Sequence, residues 1–147
     1  MTQLIPKDDR GIEPCLALYL RKANRVITQI YDHNMSQHGI KVTQFSILRA
    51  VNYMGEATNG TLQEALVIDQ TTLSRNLKPL IRDGYLQVMS GEDKRQKLIR
   101  LTDNGKRLFM AARKDWNRSQ QAIAKELGED MTQQLLTVSD RVVELKV

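Results

Sequence analysis

Two amphipathic segments meet at Asp69 with almost no chain between them. Residues 69–83 read DQTTLSRNLKPLIRD, in which Leu73, Leu77, Leu80 and Ile81 fall at i, i+4, i+7 and i+8 and so share one side of a helix. Thr71, Arg75 and Arg82 point the opposite way, with Thr72 and Lys78 on the flanks. Just upstream, Thr61-Leu62-Gln63-Glu64 has the form of a capping box opening a short helix through Ile68. The Asp69 carboxylate is placed to cap the helix that follows. Two helices separated by two or three residues make a helix–turn–helix. Its second helix then has one face to anchor it and another, bearing hydroxyls and cations, that a core does not need. Pro79 removes the hydrogen bond to the Arg75 carbonyl and predicts a kink or loosening there, while Leu80 and Ile81 keep the helical period.

The flanking segments supply the rest of the body. From Ile12 to about Met35 apolar residues recur at helical spacing, with Pro14 suited to the first turn. A second helix opens at Thr43 with Phe45, Leu48, Val51 and Met54 on its buried side, and ends near Gly55. After Gly84 the texture becomes β: residues 85–89 and 98–101 read as a hairpin around the polar, projecting tip SGEDKRQK. Thr102 caps a long helix from Asp103 to about Leu127, with Leu108, Ala111, Ala112, Asp115, Trp116, Ser119, Ala122, Ile123 and Leu127 as its stripe. A last helix covers about 130–145. The predicted fold is mainly α with a small β-hairpin: a winged helix–turn–helix flanked by long N- and C-terminal helices. Residues 1–10 form a flexible tail, 11–38 the N-terminal helix, 39–102 the winged helix–turn–helix and 103–147 the C-terminal helices. The long terminal stripes expose more apolar surface than a monomer keeps, which predicts association.

Charge narrows the partner. The net charge is +5, a modest excess, but Arg75 to Arg107 holds nine Lys/Arg against four acids in less than a quarter of the chain. Hydroxyls at Thr71, Thr72 and Ser74 let a backbone approach closely. Gln70 and Asn76 suit adenine edges, and Arg75 suits a guanine. Lys78 fits a phosphate. Lys94, Arg95, Gln96 and Lys97 at the hairpin tip suit a minor groove and its phosphates. Arg82, Arg100 and Lys106 read as solvated or phosphate-skimming. Double-stranded DNA is the expected partner. A winged domain used as a protein-interaction module, and a non-specific nucleoid binder, are the alternatives. An enzyme is not expected: there is no nucleophile–base pair, no glycine-rich phosphate loop and no paired carboxylates. No cofactor or metal is expected, since His33 and His38 share no helix face and read as surface imidazoles. The single cysteine excludes an internal disulfide. No secretory leader or membrane-length apolar run is evident, which predicts a cytoplasmic protein without a membrane partner.

The run IDQTTLSRNLKPLIRDGYL followed by EDKRQKLIRLTDNGKRL resembles the MarR family of bacterial transcription regulators. Its wing pattern is matched by Asp93-Lys94-Arg95 and Leu101-Thr102-Asp103-Asn104-Gly105, VTQFSILRAV looks like its second helix, and the resemblance covers about residues 12–145. It implies a homodimeric repressor of a pseudo-palindromic operator, with the terminal helices as dimer interface. It also implies release by a small, aromatic or phenolic effector, and pairing of Asp93 with Arg95 to stiffen the wing. Tyr31, Phe45, Leu48, Arg49, Tyr53 and Trp116 are the candidate effector-pocket residues. Cys15, beginning CLALY, resembles the sensing cysteine of the family's organic-hydroperoxide branch, which makes oxidant sensing the alternative trigger. Tyr19 matches that branch, Tyr31 is displaced by two residues from its second tyrosine, and Val42 stands where its third belongs.

Overall fold

The computed structural model describes residues 4–147. In chain order it forms α1 (Leu16–Met35), a 3-10 turn (Ser36–His38), α2 (Val42–Met54), α3 (Asn59–Leu66), α4 (Gln70–Arg82), β1 (Leu86–Ser90), β2 (Lys97–Leu101), α5 (Asp103–Leu127) and α6 (Glu129–Val143). This is the expected winged helix–turn–helix between long helices.

Several boundaries differ from the sequence expectation for local reasons. α1 starts at Leu16, four residues later than its apolar period, because Cys15 is extended (φ −97, ψ 115) directly after Pro14. Pro14 lies outside the helix instead of in its first turn, and Ile12 is exposed. Upstream, Asp8 organises a turn: its Oδ1 accepts from the backbone N–H groups of Arg10 and Ile12, each at 2.9 Å. α3 starts at Asn59 because Thr58, and not Thr61, takes the cap. Thr58 Oγ1 accepts from Thr61 N–H at 3.1 Å, and Thr61 Oγ1 accepts from Thr58 N–H at 2.9 Å. The Thr61–Glu64 box is therefore displaced by one helical turn. On α2 the buried residues are Phe45, Ile47, Leu48 and Val51, whereas Met54 is 40% exposed beside the terminating Gly55.

α4 begins where Asp69 Oδ1 accepts from Thr72 N–H at 2.7 Å. These bonds to Thr72 hold the Asp69 carboxyl below its usual pKa. Leu73, Leu77 and Leu80 are buried, but Ile81 is 38% exposed and leaves the anchoring face. Helical backbone continues through Pro79 to Arg82, and the Pro79 carbonyl accepts from Asp83 N–H at 2.9 Å. The turn into α4 places Val67 in the left-handed region at φ 52, costly for a β-branched residue.

The hairpin is antiparallel with Leu86 opposite Leu101 and Ser90 opposite Lys97. Ala57 adds a rung the sequence did not announce: it exchanges both backbone hydrogen bonds with Ile99, at 2.9 and 2.7 Å. α5 is then locked to the hairpin. Thr102 Oγ1 accepts from Gly105 N–H at 3.0 Å and donates to the Gly84 carbonyl at 2.5 Å. A Cβ on Gly105 would stand 2.0 Å from the Tyr85 carbonyl oxygen, so only glycine fits. Phe109, absent from the predicted stripe, is buried and stacks on Phe45 at 5.4 Å between centroids, while Ala111 is exposed.

A polar seam joins α1 to α5. Asn34 Nδ2 donates to Ser119 Oγ at 2.7 Å, and Tyr31 donates to Gln120. Asp115, buried, pairs through Oδ2 with His38 Nε2 at 2.7 Å. His38 is thus half-buried in a contact and not a surface imidazole, whereas His33 is exposed. α6 buries none of its residues within the chain.

Gly105→Ala should lower stability by at least about 2 kcal/mol through backbone overpacking, whereas Val67→Gly should raise it by about 0.5–1 kcal/mol by relieving left-handed strain. Urea midpoints shifting in opposite directions check both. The hydrogen bond from His38, then that from Gln37, hold the Asp115 carboxyl below the ordinary aspartate value of 3.8. A carboxyl depressed on folding contributes stability that is full above its unfolded pKa and lost as pH falls through the lower folded one. Asp115→Asn should therefore narrow the stability difference between pH 7 and pH 3, measured by denaturant titration at each pH.

Candidate nucleic-acid interface

The outward side of α4 follows from its anchoring by Leu73, Leu77 and Leu80. Gln70, Thr71, Ser74, Arg75 and Lys78 are exposed, and Thr72 is half-buried. Neither Arg75 nor Lys78 has an ion-pair partner among the described residues. Asn76 behaves differently: it is half-buried, and its Nδ2 donates to the Thr72 carbonyl at 2.9 Å, folding the amide back on its own helix. Arg82 is drawn aside by Asp83, Nε to Oδ1 at 3.0 Å, and Arg100 pairs with Glu56. Both are ion-paired yet stay in contact with solvent.

The wing tip is held by two backbone–backbone hydrogen bonds and one from backbone to side chain. Gly91 N–H donates to the Gln96 carbonyl at 2.8 Å, and Gln96 N–H donates to the Asp93 carbonyl at 2.9 Å. Asp93 Oδ1 accepts from the Arg95 backbone N–H at 3.1 Å. The expected side-chain pairing of Asp93 with Arg95 is replaced by this turn contact, which stiffens the tip and leaves the guanidinium free. Lys94, Arg95, Gln96 and Lys97 are all exposed.

Helix and wing share their intervening grooves. One groove is lined by Ser74, Lys78, Ile81 and Arg82 of α4 and by Val88, Lys97 and Ile99 of the hairpin. Beside it, Arg95, Gln96 and Lys97 face Thr58, Asn59 and Gly60 at the start of α3. Asn59 borders both grooves and was missed in sequence. The misplaced cap hid it, since starting α3 at Thr61 puts Asn59 in a distant loop. Lys97 is common to both grooves, so the cations of α4 and of the wing form one continuous surface.

The candidate effector residues do not line one cavity. Phe45 and Leu48 are sealed in the core, and Tyr31 is buried against Gln120. Arg49, Tyr53 and Trp116 do gather at the surface. The Arg49 guanidinium lies 5.2 Å from each ring centroid, and Trp116 stacks on Phe45 at 5.7 Å. Two apolar clefts lie elsewhere, between α1, α5 and α6, among Ala23, Ile27, Ile123, Leu127 and Leu135. The proposed redox group is likewise dispersed. Cys15 is exposed at the head of α1 with Tyr19 one turn on, but Tyr31 is sixteen positions along the helix, about 24 Å away. Among the described residues no group of His, Cys, Asp or Glu is arranged to hold a metal ion, and no helix is long and apolar enough to cross a membrane.

The sequence model described as the MarR family matches residues 38–96, from the end of the 3-10 turn to the wing tip. The HTH-type transcriptional regulator YwoH of Bacillus subtilis is 27% identical over 90 residues, 61% of this chain and 66% of that protein. The Mycobacterium tuberculosis transcriptional regulator MosR, solved in complex with DNA, is 29% identical with a TM-score of 0.77, covering 90% of this chain and 100% of that one. Bordetella bronchiseptica BpsR, described for regulation of its DNA binding by 6-hydroxynicotinic acid, shares the fold at 20% identity with a TM-score of 0.83, covering 90% and 95%. With its helix–turn–helix, its cationic wing and its long flanking helices, the chain is similar to the MarR family of transcriptional regulators, by sequence over residues 38–96 and by fold over nearly its whole length.

Proposed function

We propose that the chain is a homodimeric, sequence-specific repressor that binds a pseudo-palindromic operator and is released by a small aromatic effector. The carrying observation is the cationic, hydroxyl-bearing side of α4, continuous with the free cations of the wing. In this reading Gln70, Thr71, Thr72, Ser74 and Arg75 enter a major groove, with Arg75 reading a guanine. Lys78 holds a phosphate, and Lys94, Arg95, Gln96 and Lys97 track the neighbouring minor groove. Asn76 contributes once its amide leaves the Thr72 carbonyl. Residues 39–102 form the DNA-binding unit, and 11–38 with 103–147 form the dimer frame. Support for the frame is the apolar surface left uncovered on α1 and α6, including Leu16, Leu20, Val26, Met131, Leu136 and Val138. Arg49, stacked between Tyr53 and Trp116, suits the carboxylate or phenolate of an aromatic ligand. Cys15 oxidation is the weaker trigger, because Tyr31 is remote from the thiol.

Binding by phosphate neutralisation should weaken with salt at a log–log slope of about −0.9 per contacted phosphate. Arg75→Ala should cost about 1–3 kcal/mol on a selected duplex and little on random DNA, whereas Lys78→Ala should weaken both and reduce the salt slope by about one contact. Fluorescence anisotropy across a salt series, with duplexes enriched by the wild-type protein from a randomised pool, separates these roles. Equal loss on both duplex types in Arg75→Ala would leave only non-specific binding.

A further inference from the structure

We propose that Asp115 is a positioning residue for DNA recognition: it clamps the connector between α1 and α2 and so sets how the dimer frame holds the two DNA-reading units. The inference rests on the two-half-site reading above. It starts from a buried carboxylate that neither the core nor the proposed DNA surface requires.

The connector 36–41 is short and held from both sides. From below, Asp115 Oδ2 takes Gln37 Nε2 at 2.5 Å and His38 Nε2 at 2.7 Å. Asp115 Oδ1 pairs with the largely exposed Arg118 at 3.1 Å. From α1, Asp32 Oδ1 accepts from Val42 N–H, the first residue of α2, at 2.8 Å. One turn further along α5, Ser119 is fully buried; its Oγ accepts from Asn34 and donates to the Asp115 carbonyl at 3.1 Å. Tyr31 and Gln120 close the row. Residues 31, 34 and 38 of the α1 end thus meet 115, 119 and 120 of α5 in a single register.

That register has a consequence an apolar contact would not have. Packed helices slide by small shears at low cost, but hydrogen bonds are directional and weaken steeply when bent. Breaking this row leaves the buried Asp115 Oδ2 without Gln37 and His38, the exposed Arg118 on Oδ1 being its remaining partner. α1 carries much of the uncovered apolar surface, and α5 is continuous from the hairpin to the far end of the frame. A shift of α1 on α5 would therefore move the partner subunit relative to α4, changing the separation and mutual rotation of the two recognition helices. Half-site spacing is the quantity that reports such a shift.

The test uses duplexes enriched by the full-length wild-type protein from a randomised pool, rebuilt with one base pair inserted or deleted between half-sites. Each change rotates one half-site by about 35°. Wild type should lose about tenfold or more in affinity on either change, and Asp115→Ala less than about threefold. Arg118→Ala, which touches the same carboxylate from solvent, should keep the wild-type ratio. A merely destabilising effect would lower affinity for every spacing alike and leave the ratio unmoved. Should Asp115→Ala not fold, the double variant Gln37→Ala/His38→Gln weakens the same clamp from the connector side, and its ratio decides. A variant that folds, dimerises and retains the full wild-type spacing preference overturns the proposal. A wild type indifferent to spacing overturns the two-half-site reading and the clamp's role with it.

Discussion

Everything in this chain is hung from the contact between Gly105 and the Tyr85 carbonyl. α5 belongs both to the winged unit, through Phe109 and Ala112, and to the long-helix frame, through Ser119 and Ile123. Its angle of departure from the hairpin is therefore the angle between the two halves of the molecule. That angle is set within four residues: Thr102 caps the helix and reaches back to Gly84, Thr102 N–H donates to the Tyr85 carbonyl at 3.1 Å, and the missing Cβ of Gly105 lets the helix close on that carbonyl. The L-T-x-x-G sequence is thus a geometric requirement. Threonine supplies a hydroxyl that both accepts and donates, and glycine supplies absence.

A second ordering principle is the disposal of charge. Arg10, Arg82, Arg100, Arg118 and Arg141 each have a carboxylate within the chain. Arg75, Lys78, Lys94, Arg95 and Lys97 have none among the described residues, and these lie on α4 and the wing. Exposed pairs contribute little to stability, but they determine which cations remain available to an outside anion. Arg82 on α4 and Arg100 on β2 are among the paired arginines, so the field toward an outside anion comes from the remaining cations of α4 and the wing tip.

What was legible in the sequence was what depends on near neighbours. Leu73, Leu77 and Leu80 at helical spacing, with Asp69 before them, identify α4 and its outward face. Thr102 and Gly105 mark the start of α5. Illegible were choices between local competitors and contacts across long separations. Thr58 and Thr61 can both cap α3, and only the pairing of Ala57 with Ile99 favours the earlier start, by holding the chain extended up to Thr58. Ile47 and Met54 both continue the α2 stripe until the end of the helix at Gly55 leaves Met54 at the edge. Phe109 is adjacent to Leu108 and one position off the assumed stripe, and its stack on Phe45 tilts the buried face toward it. His38 and Asp115 are separated by 77 residues, so His38 reads alone as a surface imidazole and Asp115 as a member of the α5 stripe with no partner to name. Among the effector candidates, Tyr31, Phe45 and Leu48 go to the core for a related reason: aromatic and apolar residues near a domain junction are recruited by packing first, and only Arg49, Tyr53 and Trp116 gather toward the surface.

The frame helices pose the remaining energetic problem. α6 is 15 residues long and buries none of them within the chain. A helix of that length is marginal in water without packing, and its Met131, Leu136, Val138 and Val143 keep more than half of their surface uncovered within the chain. In the proposed dimer those residues, with the outer face of α1, would be covered by a second copy, and α6 would draw its stability from association. The stability of the frame would then depend on protomer concentration, while the winged unit, with Phe45, Leu48, Leu62, Leu73 and Phe109 fully enclosed, holds its own core. The two halves would be stabilised by different means yet joined through one rigid helix, so an event that shifts α1 on α5 can alter the spacing of the DNA-reading units without unfolding either of them.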